Sequence, residues 1–315
     1  MEIFDDLSKI VKNDKTTLTI GTFDGVHLGH RKILETVKQK ALLHGGRSLI
    51  ITFNPHPKTV VSSNYDIKIL TGLDEKLQLF EQLNVENVLI INFSKEFSRL
   101  SSEDFFKQYI VDRIGLKEIV IGHDHHFGRN RSGNERTLLE LSKNYSFNVT
   151  TVEAFEINGE AVSSTKIRNA LQRGDVKTAN VYLGRPYSFK GVVVEGDKRG
   201  RALGFPTANI RPDNHEKLLP NLGIYAVEAK VRNTKFFGLL SVGKRPTFYQ
   251  SGSVVPEVYI YDFDDDIYGE EITVSLIERI RGEEKYSSAE ELIVQMNKDK
   301  EAGLEILNRL YTSAD

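Results

Sequence analysis

Near residue 185 the hydrophobic pattern of this chain changes period, and no one sheet or bundle accommodates both halves. Before that point β-branched runs alternate with amphipathic stretches. TLTIG, SLIITF, NVLIINF, EIVIG and NVTTVEAF are separated by segments with apolar residues at helical spacing, such as Leu73, Leu77 and Phe80. The alternation predicts βαβ units, and hence a mostly parallel, doubly wound sheet with helices on both faces. Beyond it, FKGVVVEG, IYAVEAKV, KFFGLLSVG, EVYIYDF and EITVSLIERI succeed one another across Gly, Pro and Asn turns with no long helix between them. Consecutive strands of this kind predict an antiparallel barrel or sandwich, closed by an amphipathic helix from about Ser288 to Leu310.

Two domains are therefore expected, 1–184 and 185–315, with the two short helices of STKIRNALQRGDVKTANVYLG leading up to Arg185. A chain of 315 residues is long enough for two cores. Helix punctuation supports the reading. Gly45 and Gly46 follow the first helical run, Ser101 and Asp104 form a capping box before FFKQYIVDRI, and Gly115 ends that run.

Charge and composition narrow the partners. The formal net charge of -2 combines 42 basic and 44 acidic side chains without a long block of one sign, so nucleic acid is not an expected partner. The absence of cysteine rules out disulfides, thiolate metal sites and cysteine nucleophiles. MEIFDDLSKIVKNDK is too acidic and interrupted for a targeting peptide, and no apolar run reaches membrane-spanning length. A cytoplasmic protein that does not engage a membrane is expected.

Two clusters carry chemistry. In LTIGTFDGVHLGHRKILETV a strand runs into a Gly-rich turn and then a helix, with His27 and His30 bracketing Gly29 just before the helix. Open α/β sheets bind phosphates at this position, facing free helix N–H groups. No GK[ST] follows, so this is not a Walker loop. In GVVVEGDKRGRALGFPTANI a Gly-rich turn lets backbone approach phosphates, and Thr207 and Asn209 offer neutral oxygen ligands suited to Mg2+. PTAN read alone is equally a turn and a strand start. A third segment, His123 to His126, has the side chains of a metal site but no second ligand cluster to complete it.

Phe23 to His30, FDGVHLGH, resembles the HxGH signature of the nucleotidylyltransferase superfamily in the form typical of prokaryotic FAD synthetases. ITFNPHP, IGHDHHFGRNRSG and VSSTKIR follow in the order of that family, which decides against an aminoacyl-tRNA synthetase. GRALGFPTANI, followed by GIYAVEAKV, SVGKRPTF and EVYIYDFDDDIYG, resembles the riboflavin kinases. The whole is similar to the prokaryotic bifunctional riboflavin kinase/FMN adenylyltransferase family.

That resemblance implies an amino-terminal adenylyltransferase and a carboxy-terminal β-barrel kinase. Riboflavin and ATP would give FMN and ADP, and FMN and a second ATP would give FAD and pyrophosphate. It implies nucleotide or phosphate contacts at Gly21, Phe23, Asp24, Gly25, His27, His30, Asp124, Ser164, Thr165 and Arg168, and a flavin wall of Phe53, Pro55, His56 and Pro57. His27 and His30 would also be catalytic. In the kinase it implies ATP contacts at Gly196, Arg201, Gly204, Phe205, Pro206, Thr207 and Asn209, with Mg2+ on Thr207 and Asn209. Glu257 would be the base toward the riboflavin 5'-hydroxyl, and Arg281 would lie near the flavin. Ser163 or Ser164 reads equally as an N-cap, and Arg281 equally as a partner of Glu283 or Glu284. The sequence departs from the pattern at His125, His126, Ala161, Tyr259 and Tyr261. A monofunctional FAD synthetase with a non-catalytic barrel is the alternative, and intact Thr207, Asn209 and Glu257 speak against it.

Overall fold

The computed structural model describes residues 1–61, 68–129, 132–196, 200, 203–244 and 254–312. The chain divides into two compact units, Met1–Ser164 and Thr165–Asp315.

In the first unit the five predicted runs become β2 (Thr17–Ile20), β3 (Ser48–Asn54), β4 (Asn87–Asn92), β5 (Glu118–Gly122) and β6 (Asn148–Val152). A short β1 (Glu2–Phe4), which the hydrophobic pattern does not announce, completes a sheet of order β1-β4-β3-β2-β5-β6, parallel throughout. Alternate residues of each strand feed two separate cores. Leu49 and Ile51 pack on one side with the helical segments Ser102–Phe105 (α4), Phe106–Ile114 and Glu135–Tyr145 (α5). Ile50, Val88 and Val120 pack on the other with α1 (Leu28–His44) and α3 (Leu73–Gln82). Burial on both faces explains why the strands read as continuous apolar runs. Ser101 caps α4 as its sequence predicts, its Oγ accepting from the Asp104 N–H at 3.0 Å. The run continues beyond Phe105 as a π-helix, which side-chain periodicity does not reveal. The remaining elements are a single helical turn α2 (Pro57–Val61) and the hairpin β7 (Glu156–Ile157) and β8 (Glu160–Ala161).

The second unit begins with α6 (Ser164–Arg173) and α7 (Val176–Leu183) and continues as β9 (Tyr187–Val194), β10 (Thr207–Pro212), β11 (Gly223–Val231), β12 (Thr234–Lys244), β13 (Val254–Ile260) and β14 (Glu271–Arg281). These strands close as β10-β13-β12-β11-β14-β9, every adjacent pair antiparallel. The closed barrel resolves the choice between barrel and sandwich. The interior is filled by one set of alternating side chains, including Tyr187, Phe189, Tyr225, Val227 and Val258. The last helix, α8 (Ala289–Thr312), lies on the outer surface, where Leu307 packs with Ala226, Leu239 and Tyr261. α7 is tied to the same barrel through Asn180, whose Nδ2 donates to the Leu276 carbonyl at 2.9 Å and whose Oδ1 accepts from the Tyr187 N–H at 2.7 Å.

Candidate active sites

The first cluster sits at the carboxyl end of β2. Phe23 and Val26 hold positive φ values of 48° and 40°, and Gly25 one of 89°. For a β-branched valine this is a strained backbone, of the kind that concentrates at functional turns. Asp24 holds the turn in place. Its buried Oδ1 accepts from the Leu70 and Thr71 N–H groups, each at 2.9 Å, while Thr71 Oγ1 accepts from the Gly25 N–H at 3.0 Å. The carboxylate that the sequence offers as a nucleotide contact thus organises the chain around the turn. Gly21 lies against the Phe23 ring, which would be 3.1 Å from a Cβ there.

His27 is the N-cap of α1, its Nδ1 accepting from the His30 N–H at 3.3 Å. The two imidazoles stack with centroids 3.6 Å apart, and Phe23 meets His30 edge-on at 5.3 Å. His30 Nδ1 is buried with no hydrogen-bond partner among the described residues. Burial, then the neighbouring His27 and the charge of Lys76, hold the His30 imidazole well below its ordinary pKa, so it is neutral at pH 7. Ser164, at the start of α6, donates from Oγ to the Asp24 carbonyl at 2.8 Å, joining the SST segment to the same turn. Thr165 and Arg168 follow in the first turns of α6, with Arg168 four residues from Ser164 and on its face of the helix. Asp124 is exposed just after β5, the strand beside β2. Among the described residues no group of three His, Cys, Asp or Glu side chains could hold a metal ion.

Phe53, the penultimate residue of β3, joins an aromatic group that local pattern does not reveal. It meets Phe93 at 5.5 Å and Phe97 at 6.1 Å, and Phe97 in turn meets Phe105 and Tyr109. Pro55 follows a cis peptide bond from Asn54. His56 accepts at Nδ1 from the Lys58 N–H at 3.2 Å, and Pro57 opens α2. Lys76 is also invisible as a site residue in the sequence. It is buried on α3, with its Nζ donating to Thr52 Oγ1 at 3.3 Å. Its position three and four residues before Leu79 and Phe80, on the apolar face of α3, is the signal that would have found it.

The second cluster lies on the outside of the barrel. Asn209 pairs with Glu257 across β10 and β13, and Glu257 pairs with Ser241 across β12. Directly paired residues project to the same side of a sheet. Thr207, two positions before Asn209, shares that side and donates from Oγ1 to Glu257 Oε2 at 3.2 Å. The sequence therefore brings Thr207, Asn209 and Glu257 together, and the register adds Ser241. Gly196 makes room for Asn209, because a Cβ there would stand 2.0 Å from Asn209 Nδ2. Phe205 meets the ring of Tyr259 at 5.3 Å, so the tyrosine that departs from the family pattern packs inside the cluster. Gly204, with φ of 84°, and Pro206 bracket Phe205 in the approach to β10, whereas Arg201 lies outside the described residues.

Arg281 continues the same row, since Ile224 pairs with Ser241 on one side and Arg281 on the other. Its guanidinium grips Asp299 of α8, Nε donating to Oδ1 at 2.8 Å and Nη2 to Oδ2 at 2.7 Å. Glu284 stands off at 4.0 Å. The hydrogen bonds to Asp299 raise the arginine's pKa against the opposing effect of burial.

Family models match both halves of the chain: FAD synthetase over residues 9–166 and riboflavin kinase over residues 183–307. A bifunctional riboflavin kinase/FMN adenylyltransferase of Bacillus subtilis is 38% identical over 94% of this chain and 94% of its own. One from Listeria monocytogenes is 38% identical over 90% of each chain. A crystal structure described as a macrolide-efflux protein from Streptococcus pneumoniae superposes with a TM-score of 0.86 and 31% identity, covering 96% of this chain and 97% of its own. Among the described residues no helix is long and apolar enough to cross a membrane.

Proposed function

The chain belongs to the bifunctional riboflavin kinase/FMN adenylyltransferase family, and from that premise we propose which of its residues perform each reaction. The protein phosphorylates riboflavin with ATP to FMN and adenylylates FMN with a second ATP to FAD, releasing pyrophosphate. Both activities place it above the monofunctional alternative. Residues 1–184 are assigned to adenylyl transfer and 185–315 to the kinase, and a cytoplasmic location fits both substrates.

In adenylyl transfer an FMN phosphate oxygen attacks the α-phosphorus of ATP and pyrophosphate leaves, so the site must position two anions and stabilise spreading negative charge. The single observation that supports the assignment is the stacked His27–His30 pair at the amino end of α1, with an unpartnered buried Nδ1 on His30. Free helix N–H groups and the imidazoles are suited to the phosphates. Gly21, Phe23 and Gly25 shape the turn that admits them, and Asp24 and Ser164 hold it. Asp124 is assigned to the nucleotide, and the family resemblance also gives phosphate contacts to Thr165 and Arg168. Phe53, Pro55, His56 and Pro57, with Phe93 and Phe97 behind Phe53, are the flavin wall.

On the barrel Glu257 is the base for the riboflavin 5'-hydroxyl. Its hydrogen bond from Thr207 fixes the carboxylate while leaving lone pairs to accept the proton. Thr207 Oγ1 and Asn209 Oδ1 are neutral oxygen donors on one face, which fits Mg2+, a cation that retains water and phosphate oxygens as its other ligands. Bound there, Mg2+ would neutralise charge on the ATP phosphates. Gly196, Gly204, Phe205 and Pro206 are assigned to those phosphates, and the family resemblance gives the same role to Arg201. Arg281 anchors α8 beside the flavin.

Replacing Glu257 tests the division of labour. Glu257→Gln should lower riboflavin phosphorylation about 100-fold or more while FAD formation from supplied FMN stays within twofold, measured by separating the flavins after incubation with ATP and Mg2+. Riboflavin phosphorylation at the parent rate removes Glu257 from the chemistry.

A further inference from the structure

The adenylyltransferase site needs positive charge, yet the histidine best placed to supply it is neutral. The cation on hand is Lys76. It is buried, its ammonium makes one hydrogen bond, to Thr52 Oγ1 at 3.3 Å, and no carboxylate of the described residues forms an ion pair with it. Thr52 itself donates at 3.4 Å to the carbonyl of Thr22, in the turn that leads to His27. Phe80, one helical turn after Lys76, meets Phe23 of that turn at 5.7 Å. Lys76 therefore lies directly behind the HxGH turn, close enough for its charge to act on both Asp24 and His30.

A buried ammonium with an incomplete set of acceptors is costly, and in native proteins such groups are either paired or reserved for a ligand. Asp24 is the acid whose charge acts on Lys76, but its Oδ1 is committed to the Leu70 and Thr71 N–H groups. Among the described residues two ammonium hydrogens thus have no acceptor, and His30 Nδ1 lacks a partner as well.

We propose that Lys76 is a substrate-contacting cation of the adenylyltransferase site, donating to phosphate oxygens that become pyrophosphate as FMN attacks ATP. The inference rests on the adenylyl-transfer reading of this site. As negative charge moves onto the leaving pyrophosphate, a fixed ammonium in a dry setting stabilises it without reorganising. His27 and the neutral His30 then serve as hydrogen-bonding and shaping groups.

Lys76→Met in the full chain removes the charge and keeps the stem. The expected result is a fall of about 100-fold in kcat/KM for ATP in FAD formation from FMN. Thermal stability should not fall, riboflavin phosphorylation should stay within twofold, and calorimetric binding of inorganic pyrophosphate to the amino-terminal site should be lost. FAD formation within twofold of the parent, or undiminished pyrophosphate binding, overturns the proposal. Lys76→Gln repeats the test if the methionine variant does not fold, and failure of both to fold makes Lys76 a structural residue and equally overturns it. A parent that binds pyrophosphate through Lys76 but makes no FAD from FMN leaves the anion site standing and removes the adenylyl-transfer reading instead.

Discussion

At each end of the parallel sheet a buried charge lies near histidines of α1 or its cap, and α1 connects the two. At its amino end His27 and His30 lie in front of Lys76. Near its carboxyl end Lys40 and His44 reach Glu118, the first residue of β5, at 3.0 and 2.5 Å. Thr150 completes that second group by donating to Glu118 Oε1 at 2.5 Å. Glu118 and Lys76 are buried to similar extents, at 2% and 6% exposure, but their partners differ. Burial pushes the Glu118 carboxyl up, and the hydrogen bonds from Thr150, His44 and Lys40 outweigh it, leaving the group below the ordinary glutamate value. Burial pulls Lys76 down to about 8, opposed only by the charge of Asp24. A saturated buried ion holds the fold together, whereas an unsaturated one weakens it and is free to bind.

The largest effect expected from this contrast is catalytic. His27→Ala combined with His30→Ala should reduce FAD formation from FMN by about 1000-fold or more, because the site loses the polar groups assigned to the phosphates. Riboflavin phosphorylation in the same protein should remain within twofold. A folded double variant with normal FAD output, read by chromatography of the flavins, would break the assignment of this end of the sheet.

Next comes stability at the opposite end. Glu118→Gln leaves Lys40 and His44 without their counter-charge and should cost about 3 kcal/mol in urea unfolding, with both activities unchanged in the folded protein. His44→Ala should cost less, about 1 kcal/mol, since Lys40 and Thr150 still satisfy the carboxylate. An activity loss in either folded variant would mean that the two ends are not separable.

The pH dependence sharpens the contrast because the two ions have opposite signs of linkage. Lys76 has a depressed pKa, so its penalty is present in full below about pH 8 and is relieved as pH rises from there toward its unfolded value of 10.5. The shift corresponds to a penalty on the order of 3 kcal/mol. Lys76→Met should therefore be more stable than the parent at pH 7, with the difference shrinking by pH 10. The Glu118 contribution is present above the unfolded value of 4.5 and fades as pH falls through the folded value, so the parent and Glu118→Gln should converge in acid. Urea titrations across that range measure both trends, and an advantage of Lys76→Met that grows toward pH 10 would contradict the first.

Much of this was legible in the chain itself. The five apolar runs that became β2 to β6 announce a sheet buried on both faces, and the strand, glycines and helix around His27 and His30 mark the turn where β2 ends as the candidate phosphate site. The change of period near residue 185 separates parallel from antiparallel architecture, and GRALGFPTANI marks the strand that bears Thr207 and Asn209. Local pattern carries this information because each signal is written within one element and its adjoining turn.

What the tertiary structure alone decided concerns what covers each element. Asp24 reads as a ligand, and only the fold shows Leu70 and Thr71, far along the chain, donating to its Oδ1. Arg281 reads as a flavin contact or a partner of nearby glutamates, and α8 adds Asp299 as a partner that no local pattern announces. Ser241 has no signal in its own strand and gains a place beside Glu257 only through register. Lys76 lies on the apolar face of its helix in the sequence pattern, but its burial and its hydrogen bond to Thr52 arise only when α3 packs on the sheet. Periodicity tells which side of an element is apolar, but the burial, partners and charge state of a group depend on residues distant in sequence, and those are set only when the sheet and barrel close.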